Sequence, residues 1–325
     1  MLYDVIIVGG GPAATAAAVY TARKQLKTLV ITESFGGQSI VSDDIQNWIG
    51  EQHISGFDLA KKFEEHVRSF GDIVEIKTPE KVTKISAITC ERPGFSCDFE
   101  VETELGNHYQ GKSIIVTAGA RRRKLGIPGE EAFNGKGVAY CSTCDAPLFS
   151  GRAVAVVGGG NAGLEAVVDL LPYAAKIYLM IRGDSLKGDE STQNEIKKNQ
   201  KVEIIFNAIP DEIKGVSLVT GLLYHDAVTN EKKELAIGGI FVEIGSVPNS
   251  EIIKDLVKID AFGQIVVDKF AATSHSGIFA AGDITDDPFK QNNISVGDGV
   301  KAALSAYGYV LQLKKRSPAA EKTNL

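Results

Sequence analysis

Two glycine-rich turns of the same type, about 150 residues apart, constrain this chain more than any other feature. The first turn follows an apolar run at 5–8 and places Gly9, Gly11 and Ala14 in G-x-G-x-x-A spacing. An alanine-rich segment and a second apolar run at 28–31 come next. A buried strand, a glycine turn and a helix form the arrangement whose backbone N–H groups bind a pyrophosphate. We therefore predict a dinucleotide site at this turn.

Three further residues belong to this predicted first site. Pro12 and Ala13 lie between the glycines and the helix, and Glu33 follows about twenty residues later. An acid at that distance accepts hydrogen bonds from a ribose hydroxyl in such sites. The spacing alone would also fit an ordinary glycine-rich loop, but here a strand precedes it and an acid follows.

The same pattern returns in the middle of the chain. An apolar run at 153–157 precedes the sequence GGGNAG, and a further strand is predicted at 177–181. Two such units imply two dinucleotides in one chain, and FAD with a pyridine nucleotide is the common pair. We predict an α/β fold with two Rossmann-like three-layer domains, typical of a flavin oxidoreductase. The predicted contacts of the second nucleotide are Gly158, Gly160, Asn161, Gly163 and Glu165.

The second domain is predicted to be inserted into the first. An apolar strand at 114–120 ends in small residues that include Ala118 and Gly119, and "GIFAAGDIT" near the C-terminus supplies Gly282 and Asp283. The turn-rich, alternating sequence at 80–114 is predicted to be a β-meander of the FAD domain. The predicted organisation is an FAD-binding part at 1–119, an NAD(P)H-binding domain at 120–244, the rest of the FAD domain at 245–316, and a disordered tail at 317–325.

A pair of cysteines, Cys141 and Cys144, lies inside the predicted inserted domain and is followed at once by Asp145. Cys-x-x-Cys spacing serves redox dithiols, zinc half-sites and structural pairs alike. Zinc would need a second pair, and Cys90 and Cys97 match no common zinc spacing. The five histidines are scattered, so we expect no metal site.

Cys90 and Cys97 are the two remaining cysteines of the chain. They flank Pro93-Gly94, and a two-residue turn there would place them opposite each other on a hairpin. A disulfide between them is one possibility. Two free cysteines are the preferred interpretation, because a reducing compartment and ladder geometry both disfavour the bond.

The motifs GGGPAA, FGGQ, CSTCD, GGGNAG and AAGD occur in this order along nearly the whole chain. In this respect the sequence closely resembles low-molecular-weight thioredoxin reductases, and it is similar to the reductase portion of the alkyl hydroperoxide reductase flavoprotein. The resemblance implies an FAD-bearing homodimer that passes electrons from NADPH through the flavin to a dithiol and then to thioredoxin. It implies that Cys144 lies nearest the flavin, that Cys141 attacks the thioredoxin disulfide, and that Asp145 moves the proton. A plain helix N-cap is the alternative for Asp145.

The resemblance also implies a set of flavin contacts at matching positions. Gln46 and Ile49 depart from the family, which usually has Glu and Pro there. The implied flavin contacts are Gly36, Gly37, Gln38, Asn47, Asp283, Lys290 and Gln291.

The electron donor is predicted from the stretch IRGDSLK. NADPH-dependent members of the family carry His-Arg-Arg and a further Arg as a pocket for the 2′-phosphate, and here Arg182 and Lys187 remain. Losing a charge-assisted hydrogen bond of about 1.5–3 kcal/mol would weaken NADPH binding roughly tenfold or more. NADH use would favour an acid at the strand end, where Ile181 stands, with Asp184 later in the loop. We predict NADPH, with NADH, dual use or reduced ferredoxin as alternatives.

Charge and hydropathy exclude several other classes. The net charge of −6 and a pI near 5.5 argue against a nucleic-acid partner. No apolar run approaches the ~18 residues of a membrane span, and the N-terminus shows no secretory signal, so we expect a cytoplasmic protein. The basic run at 121–124 is interpreted as solvated surface, or as a docking patch for an acidic thioredoxin.

Two alternatives to a thioredoxin reductase stay open at this point. The first keeps the chemistry but serves a peroxiredoxin system, whose partner we expect to be a separate chain. The second is a regulatory flavoprotein that uses its dithiol as a redox sensor without efficient turnover.

Overall fold

The computed structural model describes residues 1–42, 44–88 and 98–316. The chain divides into two compact units, Met1–Arg121 with Val247–Leu325, and Arg122–Ser246. The predicted boundaries, after residues 119 and 244, fall two residues earlier at both crossings. The cysteine pair at 90 and 97 and the predicted tail at 317–325 lie outside the described residues.

In the described residues of the first unit, two sheets and three α-helices form the main architecture. Its strands are β1 Leu2–Tyr3, β2 Val5–Val8, β3 Thr28–Ile31, β4 Val74–Lys77, β5 Val82–Ala87, β6 Phe99–Thr103, β7 His108–Gly111, β8 Ile114–Val116 and β19 Ile278–Ala280. Its helices are α1 Pro12–Arg23, α2 Gly56–Arg68 and α6 Asn292–Arg316. A five-stranded parallel sheet has the order β19-β8-β2-β3-β4, and a four-stranded sheet has the order β1-β7-β6-β5.

These elements build three layers because the strands of the parallel sheet are apolar on both faces. Val5 and Ile7 of β2 pack with the alanine-rich α1 and with α6 in one core. Ile6 and Val8, which point the other way, pack against the meander strands β5 and β6 in a second core. A strand that is buried on both faces needs a continuous apolar run, and this run in the sequence predicted a strand of that kind.

The second unit, Arg122–Ser246, repeats the same plan. Its strands are β10 Val138–Ala139, β11 Ala153–Val157, β12 Lys176–Met180, β13 Val202–Ile205, β14 Ala208–Gly215, β15 Val219–Asp226, β16 Lys232–Ala236 and β17 Gly239–Val242. Its helices are α3 Ser142–Asp145, α4 Asn161–Leu170 and α5 Glu190–Lys198. A five-stranded parallel sheet has the order β10-β17-β11-β12-β13, and an antiparallel sheet has the order β14-β15-β16.

The core of the second unit is again divided by its parallel sheet. Val154 and Val156 of β11 pack against α4 on one face, and Ala155 and Val157 pack toward the antiparallel sheet on the other. The fold is therefore α/β with two Rossmann-like three-layer units, as predicted. Among the residues that the structure describes, no helix combines the length and the apolar character that crossing a membrane requires.

Two strand predictions were too long or shifted. The strand predicted at 114–120 ends at Val116, because Gly119 adopts a φ of 63° that no strand allows. A separate short strand, β9 Ala120–Arg122, follows and pairs with β18 Ser246–Pro248 where the chain crosses between the units. The strand predicted at 177–181 runs from Lys176 to Met180.

Candidate functional site

The first glycine turn has the backbone geometry of a nucleotide loop. Gly9 adopts a φ of 124°, and a Cβ there would collide with the carbonyl oxygen of Thr117. Gly11 is the N-cap of α1, and a Cβ on it would meet only Gly37 Cα, at 3.8 Å. Pro12 then begins the helix, where its missing N–H leaves no intrahelical bond unmade. The N-terminal N–H groups of α1 are therefore approachable by a phosphate group.

A buried hydroxyl beside this turn tests whether the site fits such a ligand. Thr15, in the first turn of α1, is 6% exposed, and its Oγ1 has no hydrogen-bond partner among the described residues. Its backbone N–H donates to Gly11 O at 3.0 Å, so the residue is fixed against the loop. A buried polar atom without a partner is unusual in a folded protein. The turn thus fits an oxygen-rich group such as the pyrophosphate of FAD.

Three of the residues predicted to contact the flavin make side-chain hydrogen bonds, and two of them, Asn47 and Gln291, bond to each other. Gly36 and Gly37 both have positive φ and lead into a short 3₁₀ helix, Gly37–Val41, where the amide of Gln38 donates to Ala120 O. Asn47 Nδ2 donates to Gln291 Oε1 at 3.2 Å. Each of these two bonds joins segments of the first unit that are more than 80 residues apart in sequence.

Asp283 and Lys290, two further predicted flavin residues, lie between the end of β19 and the start of α6. Asp283 follows Gly282, whose φ is 78°, and accepts a hydrogen bond from Ser295 Oγ at 3.4 Å. Lys290 Nζ donates to Thr285 O at 2.6 Å, and burial lowers the pKa of Lys290 against the pull of nearby aspartates, Asp283 first among them.

Glu33, Ala118 and Gly119 are three further residues that the sequence predicts at the flavin site. Glu33 is exposed just beyond β3 and lies 3.7 Å from Lys81 Nζ, so its carboxylate is open to a ribose hydroxyl. Asn249 donates from its side chain to Ala118 O and from its backbone to Gly119 O, at 2.8 and 3.0 Å. These bonds fix the strand end that faces the first glycine turn.

The second glycine turn has the same construction. Gly158 has a φ of 142°, and a Cβ on it would collide with Glu243 O, while a Cβ on Gly163 would collide with Gly158 O. A Cβ on Gly160 would meet nothing within 4 Å, so this backbone is open to a ligand. Asn161 Oδ1 accepts from Asp189 N at 2.8 Å, and Glu165 is exposed on α4.

The basic residues predicted to hold a 2′-phosphate lie beside this turn. Lys187 N donates to Gly159 O at 2.8 Å, which places the loop at 182–187 against the glycines. Arg182 and Lys187 are both exposed, and so is Asp184. Ile181 is buried and would lie 2.9 Å from a Cβ on Gly159, so it packs beneath the turn.

The cysteine pair forms a disulfide in the second unit. Cys141 and Cys144 are bonded, with their Cα atoms 5.3 Å apart. The one-turn helix α3 begins after Cys141, and Asp145 N donates to Cys141 O at 3.0 Å. The short helix brings the two sulfurs onto one side, which is what Cys-x-x-Cys spacing does in a turn of helix.

Two hydroxyls tie this disulfide segment to helix α4. Ser142 Oγ and Thr143 Oγ1 both donate to Asp169 Oδ2, at 2.8 and 3.0 Å. Helix α4 begins at the second glycine turn and ends one residue after Asp169. The disulfide and the nucleotide loop are therefore fixed to the same helix.

Asp145 has the pKa of a proton carrier. Burial raises its pKa from 3.8 to about 6, and the charge of Arg122 acts in the opposite direction. Asp145 precedes the 3₁₀ helix Ala146–Phe149 but makes no capping hydrogen bond to it. The N-cap alternative therefore has no support, and a carboxyl that titrates near neutral pH suits acid–base chemistry at the dithiol.

Sequence reasoning missed a second carboxyl with the same property. Burial raises the pKa of Glu243 to about 7, although Arg122 and the N–H of Ser142 lower it. Glu243 directly follows the buried strand β17. An acid at the end of an apolar strand next to a nucleotide loop was the available signal, because the carboxyl ends of parallel strands line the site in this fold.

The basic run at 121–124 crosses the boundary between the units, and three of its four residues contact residues of their own unit. Arg121 donates to Asn249 Oδ1 and Glu251 Oε1, at 2.8 and 2.6 Å. Lys124 pairs with Glu131, and Arg122 faces Asp145. Most of these basic side chains are therefore engaged in local ion pairs and hydrogen bonds and do not form an open basic surface.

A possible ligand cluster for a metal ion occurs away from the glycine turns. Glu100, Glu102 and His108 of the meander bring ligand atoms within 4.8 Å of one another. Exposed acidic groups of this kind are common without an ion, and none of these three side chains is fully buried. We assign no metal site to the cluster.

The fold and the disulfide define a class, the oxidoreductases with two dinucleotide-binding domains and a cysteine pair that can form a disulfide. The chain belongs to the pyridine nucleotide-disulphide oxidoreductase family, whose model matches residues 3–305. This membership implies a flavin and a pyridine nucleotide, in agreement with the two glycine turns.

Known proteins similar to this chain include a solved thioredoxin reductase and two longer curated relatives. The thioredoxin reductase of Streptococcus pyogenes is 35% identical with a TM-score of 0.87, over 96% of this chain and 99% of that one. An alkyl hydroperoxide reductase component of Pseudomonas aeruginosa is 42% identical and the NADH dehydrogenase of Bacillus subtilis is 41% identical, each over 95% of this chain. The match covers 58% and 59% of these two proteins, so the chain spans just under three fifths of their length.

Proposed function

We propose that this chain is an FAD-dependent thioredoxin-disulfide reductase that takes electrons from NADPH and passes them to thioredoxin through Cys141 and Cys144. The observation that carries the proposal is the disulfide itself, fixed through Asp169 to the helix of a nucleotide turn and flanked by a carboxyl that titrates near pH 6. A structural disulfide would need neither feature.

FAD is assigned to the first unit. The turn at Gly9 and Gly11, the Thr15 hydroxyl that lacks a partner among the described residues, and the exposed Glu33 would hold its pyrophosphate and ribose. Gln38, Asn47 and Gln291, which already contact their neighbours through hydrogen bonds, would orient the flavin end. When bound, FAD would accept a hydride from the nicotinamide and pass two electrons to the disulfide.

The residues of the chain then carry out thiol–disulfide exchange. The thiolate of Cys141 attacks one sulfur of the thioredoxin disulfide, and the first thioredoxin sulfur leaves as a thiolate that takes a proton from Asp145. Cys144 next attacks Cys141, which re-forms the Cys141–Cys144 disulfide and releases the second thioredoxin thiol. The enzyme dithiol loses two electrons and two protons, and thioredoxin gains both.

NADPH is the proposed donor because Arg182 and Lys187 are exposed on a loop that is bonded to Gly159. Two cations at that edge match a 2′-phosphate, although the pocket is weaker than the family's fuller basic set. The homodimer and the cytoplasmic location that the resemblance and composition predict stay predictions.

A second candidate is the same enzyme with NADH as donor and a peroxiredoxin system as acceptor. The names of the curated relatives favour it, since one belongs to an alkyl hydroperoxide reductase and another is an NADH dehydrogenase. Asp184, exposed in the same loop as Arg182, offers an acceptor for a free ribose hydroxyl.

Steady-state turnover of the FAD-loaded protein tests the two candidates against each other. NADPH and NADH are each supplied with thioredoxin, and separately with a peroxiredoxin and its peroxide. We expect the highest kcat/KM with NADPH and thioredoxin, and a Cys144→Ser variant should lose that turnover. Turnover only with NADH and the peroxiredoxin would establish the second candidate. No turnover with any pair would favour a redox sensor.

A further inference from the structure

Asp169 is the residue of helix α4 that contacts the segment between the two cysteines. Ser142 Oγ and Thr143 Oγ1 donate to the same carboxylate oxygen, Asp169 Oδ2, at 2.8 and 3.0 Å. These two donors are the two residues that separate the cysteines in the sequence CSTC. Both residues between the cysteines are therefore bonded to one carboxylate from a different helix.

The turn that carries the cysteines has few hydrogen bonds of its own. Helix α3, Ser142–Asp145, has four residues, and an isolated helical turn is unstable because fixing its backbone costs more than its few bonds contribute. Its N-cap residue, Cys141, makes no side-chain capping bond. Backbone bonds run from Asp145 N to Cys141 O and from Ala146 N to Ser142 O. The side-chain bonds to Asp169 therefore add to a small set of contacts that hold this turn.

Helix α4 is a rigid support for the contact. Val167 and Leu170 are both 0% exposed and pack with Val154 and Val156 of β11 in the core of the second unit. Asp169 lies between Val167 and Leu170 in the sequence and is half-buried. The core thus fixes the helix, and the helix fixes the carboxylate that the cysteine turn is bonded to.

We propose that Asp169 is a positioning residue that lowers the reduction potential of the Cys141–Cys144 disulfide by holding the two residues between the cysteines, an inference that rests on the proposed function. A turn that keeps two thiols close gives them a high effective concentration, which favours the disulfide over the dithiol. The negative charge of Asp169 acts in the same direction, because it opposes the thiolates that a reduced pair forms. A lower potential makes the reduced pair a stronger reductant toward the disulfide of a partner.

The test is the equilibrium of this disulfide with mixtures of reduced and oxidised dithiothreitol, in the FAD-loaded protein at pH 7. Each exchange reduces the disulfide to two thiols and oxidises one dithiothreitol to its cyclic disulfide, so two electrons and two protons pass to the protein. Samples are equilibrated without oxygen, quenched and alkylated, and mass spectrometry gives the reduced fraction of the peptide that contains Cys141 and Cys144. We expect Asp169→Ala to shift the equilibrium constant about three- to tenfold toward the dithiol, or roughly 15–30 mV at about 30 mV per tenfold change.

Removing the two donors tests whether the effect depends on this contact. The double variant Ser142→Ala/Thr143→Val lacks both hydroxyls and should shift the equilibrium constant about three- to fivefold when Asp169 is present. Combined with Asp169→Ala it should cause no further shift, because the donors have already lost their acceptor. An equal shift with and without Asp169, or no shift for Asp169→Ala, would overturn the proposal.

Two single variants complete the design. Asp169→Asn keeps an acceptor of the same size without the charge, so it should cause a smaller shift in the same direction, and it serves if Asp169→Ala folds poorly. Glu195→Gln removes an exposed carboxyl on α5 and should leave the constant unchanged. A shift as large as that of Asp169→Asn would contradict a role specific to Asp169. The assay uses neither nicotinamide nor thioredoxin, so the expected shifts in a protein without turnover would reject the proposed function alone.

Discussion

Replacing Asp145 by Asn separates the contribution of this carboxyl to turnover from its effect on the free energy of unfolding. Burial raises its pKa from 3.8 to about 6. A shift of about two units corresponds to roughly 3 kcal/mol at 1.36 kcal/mol per unit. Because the side chain keeps some contact with solvent and Arg122 is nearby, we expect about 1–3 kcal/mol of this in the free energy of unfolding.

The sign of the effect follows from the direction of the shift. A pKa raised by folding means that the folded protein prefers the protonated acid, so stability from Asp145 is complete below about pH 4. It is lost as the pH rises through about 6. Asn is neutral throughout, so Asp145→Asn should match the wild type near pH 4 and exceed it by about 1–3 kcal/mol at pH 8.

The assay is thermal unfolding of the FAD-loaded proteins, followed by circular dichroism at pH 4.5, 6 and 8. At roughly 2–4 °C per kcal/mol, the variant should melt several degrees higher at pH 8. Its turnover with thioredoxin should fall about 100-fold, the usual effect of losing a general acid. Glu195→Gln, which removes an exposed carboxyl in the same unit, is the matched control. A stability difference that does not grow with pH would refute the burial argument, and unchanged turnover would refute the proton-carrier role.

Three further predictions concern the cysteines, the second glycine turn and the donor loop. Cys141→Ser should abolish turnover with thioredoxin and leave the rate of flavin bleaching by NADPH within about twofold, as stopped-flow absorbance would show; slow bleaching would mean that the cysteine supports the flavin instead. Gly158→Ala puts a Cβ into Glu243 O at a φ of 142°, so it should destabilise the second unit by about 1–3 kcal/mol and weaken NADPH binding, while the protein stays yellow. Loss of bound FAD in that variant would contradict the assignment of the turn to the nicotinamide nucleotide. Arg182→Ala should raise the Kd for NADPH about tenfold and leave the Kd for NADH unchanged, as fluorescence titration would show. An equal loss of affinity for both nucleotides would contradict a contact between Arg182 and the 2′-phosphate.

Much of the fold can be predicted from local sequence patterns. A run of four apolar residues followed by glycines at fixed spacing predicts a buried parallel strand and a nucleotide turn, because those glycines need conformations that other residues avoid. The φ of 142° at Gly158 and the close approach of Gly163 to the same turn show that requirement directly. The cysteine pair was also visible, since its spacing is local.

The surroundings of the dithiol were harder to predict because they are assembled from distant segments. Arg122 comes from a short strand at the crossing into the second unit, Asp169 from the end of α4, and Glu243 from the residue after β17. A basic run gave no sign that Arg122 would face Asp145. These groups come from a strand outside the parallel sheet, from a helix and from a strand end, and such tertiary packing is not encoded in sequence periodicity.

Reductive titration of the flavoprotein with NADPH under anaerobic conditions tests the central claim most directly. If electrons pass from NADPH through FAD to Cys141–Cys144, the wild type has two acceptors and should consume two equivalents of NADPH per flavin. Cys144→Ser has lost the disulfide and should consume one. One equivalent for both proteins would contradict the account, because the disulfide would then receive no electrons from the flavin.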